Sequence, residues 1–312
     1  TLVAGIIYFE IEPENTNINY EPANSQNETD KTIRFDKNGK LKILHIADTH
    51  LNYDKHFDAS VWVIAEACDV EKPDLVVLTG DNTHPNEDPE KTKKLINALM
   101  NIFESRKIPV AVTFGNHDSE GGPMTREDIM EYYQTFSCVI STDNSENFKN
   151  CATFNVPVLA SDSDKVNFNL WVFDSGDYDE DEPRHYDRVR TEQIEWYKKT
   201  AAKLKKENGG KTVNSVVFQH IIVPEIYDVL KKVDSKQPYA IEHIYNEEEY
   251  YTFNPKNLNY GTLNEKPCPG YYNDGQFDAL VENGDVLAMF TGHDHTNAFG
   301  VRNQNIDIYT SP

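Results

Sequence analysis

Residues 74–79 (DLVVLT) form a continuous apolar run between Pro73 and the triplet Gly80-Asp81-Asn82. A strand without polar alternation must be covered on both faces, because a face left in water selects polar residues at every second position. The run has neighbours of its own kind, 42–47 (KILHIA) before it and 109–114 (PVAVTF) after it. Between them the apolar period lengthens. Residues 59–70 set Val61, Ile64, Ala65 and Cys68 at helical spacing, and Pro73 ends that helix. A second helix is predicted over 89–105. Strand, helix, strand, helix, strand at this short spacing predicts a layered α/β fold with right-handed crossovers.

Further elements follow. Residues 152–159 and 167–173, parted by the polar turn SDSD, predict a hairpin. Residues 191–208 predict an amphipathic helix closed by Gly209-Gly210. Apolar strands are expected at 213–219 and 286–291, with a last one at 305–309. Residues 233–271 are rich in Tyr, Asn and Glu, show little periodicity, and are read as a long loop insertion or lid. Residues 1–31 are set apart as an N-terminal strand or extension (2–9, LVAGIIYF) and an Asn-rich polar loop, leaving 32–312 as one domain. The 2–9 segment fits the tail of a signal or anchor sequence as well as a peripheral strand. With the lone sequon Asn27-Glu28-Thr29 it favours a secreted or cell-surface location over a cytoplasmic one.

Composition narrows the function. Lys and Arg total 30 against 52 Asp and Glu, a net charge of −22. That balance argues against a nucleic-acid partner, whose phosphates need clustered Lys and Arg, and against an anionic membrane surface. The longest apolar run is eight residues, and a membrane span needs roughly 20. Four cysteines without C-x-x-C spacing exclude a disulfide scaffold. Cys138 and Cys151 flank a polar loop, and the sequence leaves a disulfide and two reduced thiols equally open. Nothing in it sets an oligomeric state.

The chemistry is concentrated where strands end. Asp48 and His50 follow the first strand, Asp81 the second, and Gly115-Asn116-His117-Asp118 the third. His220 ends a later strand, and Gly292-His293-Asp294-His295 follows another. Ligands of open α/β sheets bind at the carboxyl ends of strands. On extended backbone, residues two apart point the same way, so Asp48 is expected to converge with His50, and His293 with His295. Carboxylates mixed with imidazoles suit Zn, Mn or Fe better than Ca or Mg. Taken singly, an Asp-x-His or a Gly-Asp is common in solvated loops. Five such groups, each at a strand end, argue for a site.

In this order, D-x-H, G-D, G-N-H-D, H and G-H-x-H, the residues resemble the calcineurin-like metallophosphoesterase superfamily. The flanking stretches 33–51, 71–82, 170–178, 193–197 and 290–297 resemble its small purple-acid-phosphatase-like branch of plants and fungi. The resemblance spans roughly 32–312 and implies a four-layer α-β-β-α sandwich, two mixed sheets flanked by helices, around two transition-metal ions (Fe, Mn or Zn). It implies Asp48, His50 and His295 on one ion, Asn116, His220 and His293 on the other, and Asp81 bridging both. It also implies His117 beside the substrate as general acid, oriented by Asp118. One departure is His84, which stands where the purple members carry a ligand tyrosine three residues after the bridging Asp; His50 is taken as the ligand instead. Another is the end at 310–312, where the family usually has more sheet-forming chain.

The expected activity is hydrolysis of a phosphate monoester by in-line attack of a metal-bridging hydroxide. A phosphodiesterase or nucleotide hydrolase on the same centre is the alternative, and a non-catalytic binding protein is a third reading. His45 is read as a satisfied interior histidine, His56, His185 and His243 as loop residues, and the acidic run 177–187 as a solvated face.

Overall fold

The fold was analysed in a computed structural model that describes residues 29–54, 56–140, 148–234 and 237–312. The proposed N-terminal strand at 2–9 and the sequon's Asn27 and Glu28 lie outside the described residues.

The apolar run is β2 (Leu75–Thr79), buried along its whole length. It is flanked in parallel by β1 (Ile43–Ile46) and β3 (Val110–Thr113) in a sheet ordered β1-β2-β3. Parallel neighbours need crossovers, supplied by α1 (Phe57–Glu71) and α2 (Pro89–Arg106). Pro89 sits at the first turn of α2, where its missing N–H costs nothing, and the Asp88 side chain accepts from the Glu90 amide. α3 (Arg126–Tyr133), which the sequence did not signal, opens with a capping box between Thr125 and Asp128.

The second sheet has seven strands in the order β10-β12-β13-β11-β6-β5-β4. β4 (Phe154–Leu159) and β5 (Val166–Phe173) form the expected antiparallel hairpin. β6 (Ser215–Gln219) pairs in parallel with β5 and with β11 (Val286–Thr291), so the sheet is mixed. β12 (Ala298–Asn303) and β13 (Ile306–Thr310) continue the sheet beyond β11. α4 (Thr191–Glu207) and α5 (Gln276–Asn283) contribute to its core.

The 233–271 segment departs from the loop expected there. It completes β7 (Leu230–Val233) and holds β8 (Ile241–His243), β9 (Asn246–Phe253) and β10 (Leu258–Thr262). β7, β9 and β8 form a small antiparallel sheet, and β10 edges the large one. These strands bury little of either face; β10 is exposed over its last four residues. Without a buried face there is no period-two apolar signal to read.

Three apolar clusters organise the packing. On β2 and β3, Val76, Leu78, Val110 and Val112 pack with Leu95, Leu99 and Phe103 of α2. The alternate residues Leu75, Val77 and Ala111 pack instead with Phe154, Val156, Leu170, Val172 and Phe218 of the second sheet. Trp171, Phe173, Val217 and Met289 cluster with Ile194 and Tyr197 of α4 and Phe277 and Leu280 of α5. β2 is thus apolar throughout because both its faces are used. Each fully buried aliphatic side chain is worth about 1.5–3 kcal/mol.

Candidate metal centre

The carboxyl ends of β1, β2, β3, β6 and β11 meet where the two sheets adjoin. Backbone bonds lock the connecting loops together: Asp48 N–H donates to Gly80 O (3.1 Å), His50 N–H to Asp81 O (2.8 Å), and Gly292 N–H to His220 O (3.1 Å). One bond ties the sheets at the site itself. His220 Nδ1 lies 3.0 Å from the Thr79 carbonyl. A carbonyl only accepts, so Nδ1 carries a proton and Nε2 faces inward, toward Asp81.

Six of the seven metal-ligand candidates named from the sequence are gathered here. Donor atoms of Asp48, His50, Asp81 and His295 lie within 4.8 Å of one another, and those of Asp81, His220 and His293 likewise. Asp81 belongs to both groups. His50 Nε2 is 3.2 Å from His295 Nε2 and 3.6 Å from Asp81 Oδ2. His295 Nε2 is 3.4 Å from Asp48 Oδ1, and His220 Nε2 is 3.1 Å from Asp81 Oδ2. The His50–His295 flank is open to solvent, whereas His220 is fully buried.

Each carboxylate is held by one oxygen and offers the other. Asp48 Oδ2 accepts from the His293 amide (2.8 Å), and Asp81 Oδ1 from the His117 amide (2.7 Å). Among the described residues, the buried side-chain atoms without a hydrogen bond include Asp48 Oδ1, Asp81 Oδ2, Asn116 Oδ1, His220 Nε2 and His293 Nε2. All five belong to expected ligands. Asn116 Oδ1 and His293 Nε2 have no hydrogen bond, and Asp48 Oδ1, Asp81 Oδ2 and His220 Nε2 meet only one another and the His50 and His295 rings, as ion pairs. A buried polar atom left without a hydrogen bond costs about 1–3 kcal/mol, and the group suits a partner that accepts electron pairs. Two carboxylates, four imidazoles and one amide oxygen form a donor set that fits transition-metal ions.

The buried charges balance one another, Asp48 and Asp81 staying ionised and favouring the charged form of His220. Burial would raise Asp48, but the His220 charge, with His295, His50 and the His293 amide, outweighs it and holds the carboxyl well below the usual range. Asp81 is likewise depressed, burial being overcome chiefly by His220. Burial lowers His220, yet Asp81 and Asp48 carry it up to about 9. Burial and the neighbouring His220 charge push His293 down to about 3, so its ring stays neutral.

The convergence does not come from extended backbone, as the sequence spacing suggested. Asp48 (φ 52°), His50 (φ 41°), Asp81 (φ 51°) and His293 (φ 76°) are left-handed. Such residues cost of order 1–3 kcal/mol each and persist where the surroundings over-determine them, as at ligand sites. The glycines of the motifs make room for the carboxylates. A Cβ on Gly115 would stand 2.2 Å from Asp81 Oδ1, and one on Gly292 2.5 Å from Asp48 Oδ2.

Asp118 also departs from expectation, because it does not orient His117. It is buried and accepts from the amides of Asp81 (2.7 Å), Gly115 (2.7 Å) and Asn82 (3.0 Å), bracing the loops after β2 and β3. Burial, then Asp81, raises its pKa to about 6. His117 lies beside the ligand groups, its ring 5.4 Å from that of His50, and its Nδ1 pairs with Glu120. Glu120 and Tyr178, whose hydroxyl accepts from Asn116 Nδ2 (3.2 Å), were not singled out from the sequence. Their signals were slight: a carboxylate three residues after His117, and a tyrosine inside the matching 170–178 stretch. His84 is exposed, its ring 6.0 Å from those of His50 and His117, outside both donor groups.

The remaining candidates are structural. His45 contacts Thr79 Oγ1 at 2.7 Å, and burial pulls it down to about 4. His185 stacks on Tyr271, and His243 packs against Tyr227. Cys68, Cys138, Cys151 and Cys268 are free thiols, so Cys138 and Cys151 are not bridged. Burial pushes Cys151 up to about 12. No helix among the described residues is long and apolar enough to cross a membrane.

Comparison with known proteins agrees with this geometry. Probable inactive purple acid phosphatase 29 of Arabidopsis thaliana is 28% identical over 309 residues, covering 89% of this chain and 72% of that protein. Phosphatase DCR2 of Saccharomyces cerevisiae is 25% identical over 292 residues, covering 86% of this chain and 46% of that protein. A dimetal phosphatase from Danio rerio shares the fold, with a TM-score of 0.56 at 13% identity and 86% of each chain covered. The calcineurin-like phosphoesterase family model matches residues 41–297, and the chain belongs to that family.

Proposed function

We propose that this chain is a dinuclear metal-dependent phosphoesterase acting on phosphate monoesters. The observation that carries the reading is the convergence of Asp48, His50, Asp81, His220, His293 and His295 in two groups that share Asp81, with buried donor atoms that make no hydrogen bond. In this reading 32–312 is one catalytic domain layered α-β-β-α, which the three apolar clusters support. Asp48, His50 and His295 would hold one ion, Asn116, His220 and His293 the other, and Asp81 both. Two ions of Fe, Mn or Zn bound there would acidify a water and neutralise phosphoryl oxygens.

The chain's own residues do the rest. Asp48 and Asp81 are the only carboxylates in the donor groups, so the loaded site is cationic inside a protein of net charge −22. That local field selects a phosphate ester dianion. The amides of His117 and His293 keep the two carboxylates from turning. His117, part exposed at the edge of the site, faces the position of a leaving oxygen and gives it a proton, as general acids do.

Three of the similar plant proteins carry the words "probable inactive" in their names, which favours a non-catalytic binding role as the second reading. Hydrolysis of an aryl monophosphate and its bis-ester, measured beside metal content, separates the readings. The proposal expects two ions per chain and faster turnover of the monoester. Asp81→Asn should lose at least one ion and the activity. Full metal with no hydrolysis of any ester would leave the binding role, and faster diester cleavage would make the chain a diesterase.

A further inference from the structure

Asp118 is committed to backbone amides, so His117 needs another partner, and the structure supplies one. The His117–Glu120 turn closes through a bond from Glu120 N–H to His117 O (3.2 Å). It brings Glu120 Oε2 onto His117 Nδ1. A half-exposed His–Glu pair three residues apart would by itself be worth little. This carboxylate, however, is held at both oxygens. Its Oε1 accepts from the Tyr178 hydroxyl (3.3 Å), and that hydroxyl in turn accepts from Asn116 Nδ2 (3.2 Å). Tyr178 is itself stacked on Tyr186 (centroids 5.7 Å apart, 25°), and Tyr186 stands edge-on to His293 at 4.3 Å.

We propose that Glu120 is the positioning residue for His117, and that Tyr178 locks Glu120 and the Asn116 amide into one hydrogen-bonded frame. The proposal rests on the phosphoesterase reading for its catalytic consequence. Its structural consequence stands alone. A carboxylate accepts and cannot donate, so the His117 proton sits on Nδ1 and the ring turns Nε2 toward the site. A proton passed from Nε2 to the leaving oxygen then leaves a neutral ring with Nδ1–H still on Glu120, ready to be recharged from water. At the other end of the frame, the Tyr178 hydroxyl takes the Asn116 NH₂. That turns Asn116 Oδ1, which is buried and unpartnered, toward the metal position.

The test uses Glu120→Ala, Glu120→Gln, Tyr178→Phe and His117→Ala, with Glu120→Ala also placed in the His117→Ala background. Nitrogen-15 NMR of histidine side chains in metal-free protein reads the tautomer. The wild type and Glu120→Gln should show His117 protonated on Nδ1, and Glu120→Ala a mixture. In the loaded enzyme Glu120→Ala should keep its metal, keep KM, and lose about 10–100-fold in kcat on alkyl phosphates, with Glu120→Gln recovering most of it. Tyr178→Phe should fall between wild type and Glu120→Ala. In the His117→Ala background, Glu120→Ala should change kcat by no more than about twofold, because residues acting as a unit are not additive. An unchanged tautomer in Glu120→Ala, or an equal loss with and without His117, would overturn the proposal, as would a Tyr178→Phe enzyme identical to wild type. If the wild type hydrolyses nothing, the phosphoesterase reading fails, while the NMR result still decides the frame.

Discussion

Gly115→Ala is a sharp test of how the site is built, because the substituted residue ligates nothing. The added Cβ would lie 2.2 Å from Asp81 Oδ1 and 2.7 Å from Asp81 Cγ, against backbone that cannot yield. Ordinary contact needs about 3.5 Å, so the carboxylate must retreat by roughly 1 Å. That movement breaks the 2.7 Å bond from the His117 amide to Asp81 Oδ1. A hydrogen bond to a charged group is worth about 1.5–3 kcal/mol, or about 10–150-fold in metal affinity at 1.4 kcal/mol per tenfold. Because Asp81 belongs to both donor groups, both ions should bind more weakly. Turnover should fall by about 10²-fold, the usual cost of a 1 Å displacement. Competition against a graded series of chelators gives the affinities, and a melt checks folding. Gly209→Ala is the control. Gly209 has φ 67° with nothing within 4 Å of the new Cβ, so it should cost about 1 kcal/mol of stability and leave metal binding alone. A Gly115→Ala protein that binds both ions within about twofold of wild type would refute the reasoning, since the carboxylate would then not be confined as described.

Two further predictions concern the scaffold. Asp285 is buried and accepts from Trp171 Nε1 (2.9 Å), Ser215 Oγ (2.6 Å), Asn283 Nδ2 (2.7 Å) and the Tyr197 hydroxyl. Asp285→Ala strands these donors and should cost about 3–5 kcal/mol in urea unfolding, as losing one partner of a buried network does; a loss under about 1 kcal/mol would sink the assignment. Glu104 accepts from Ser137 Oγ (2.7 Å) and the amides of Cys138 (2.9 Å) and Ser137 (3.2 Å). Burial raises its pKa, but these donors outweigh it and hold it below the ordinary 4.5. The folded value is the lower one, so its stabilisation is full above pH 4.5 and fades as pH falls through the folded value. Glu104→Gln should therefore flatten the acid limb of the stability curve, and an unchanged limb would contradict the sign.

The parts legible in the sequence are those governed by local rules. β2 was readable because all five of its side chains are buried, and α2 because Asp88-Pro89 opens it and its core-facing positions recur at helical spacing. Strands β8, β9 and β10 were missed because their largely polar, half-buried or exposed side chains carry no apolar period. α3 and α5, eight residues each, were too short to show a helical period above the polar text around them.

The site divides the same way. Asp48, His50, Asp81, Asn116, His220, His293 and His295 could be named in advance because each sits just past a strand, and strand ends are set by local apolar runs. The sequence by itself therefore determined the donor types and which strand presents each. Only the tertiary structure decided that two sheets would share them, through the bond from His220 Nδ1 to the Thr79 carbonyl across 141 residues. It also decided that the backbone at Asp48, His50, Asp81 and His293 would be left-handed rather than extended. Asp118 turned inward to three amides, and Glu120 and Tyr178 came to frame His117. Those outcomes depend on which donor lies nearest each acceptor once the loops are packed, and spacing along one chain does not carry that distance.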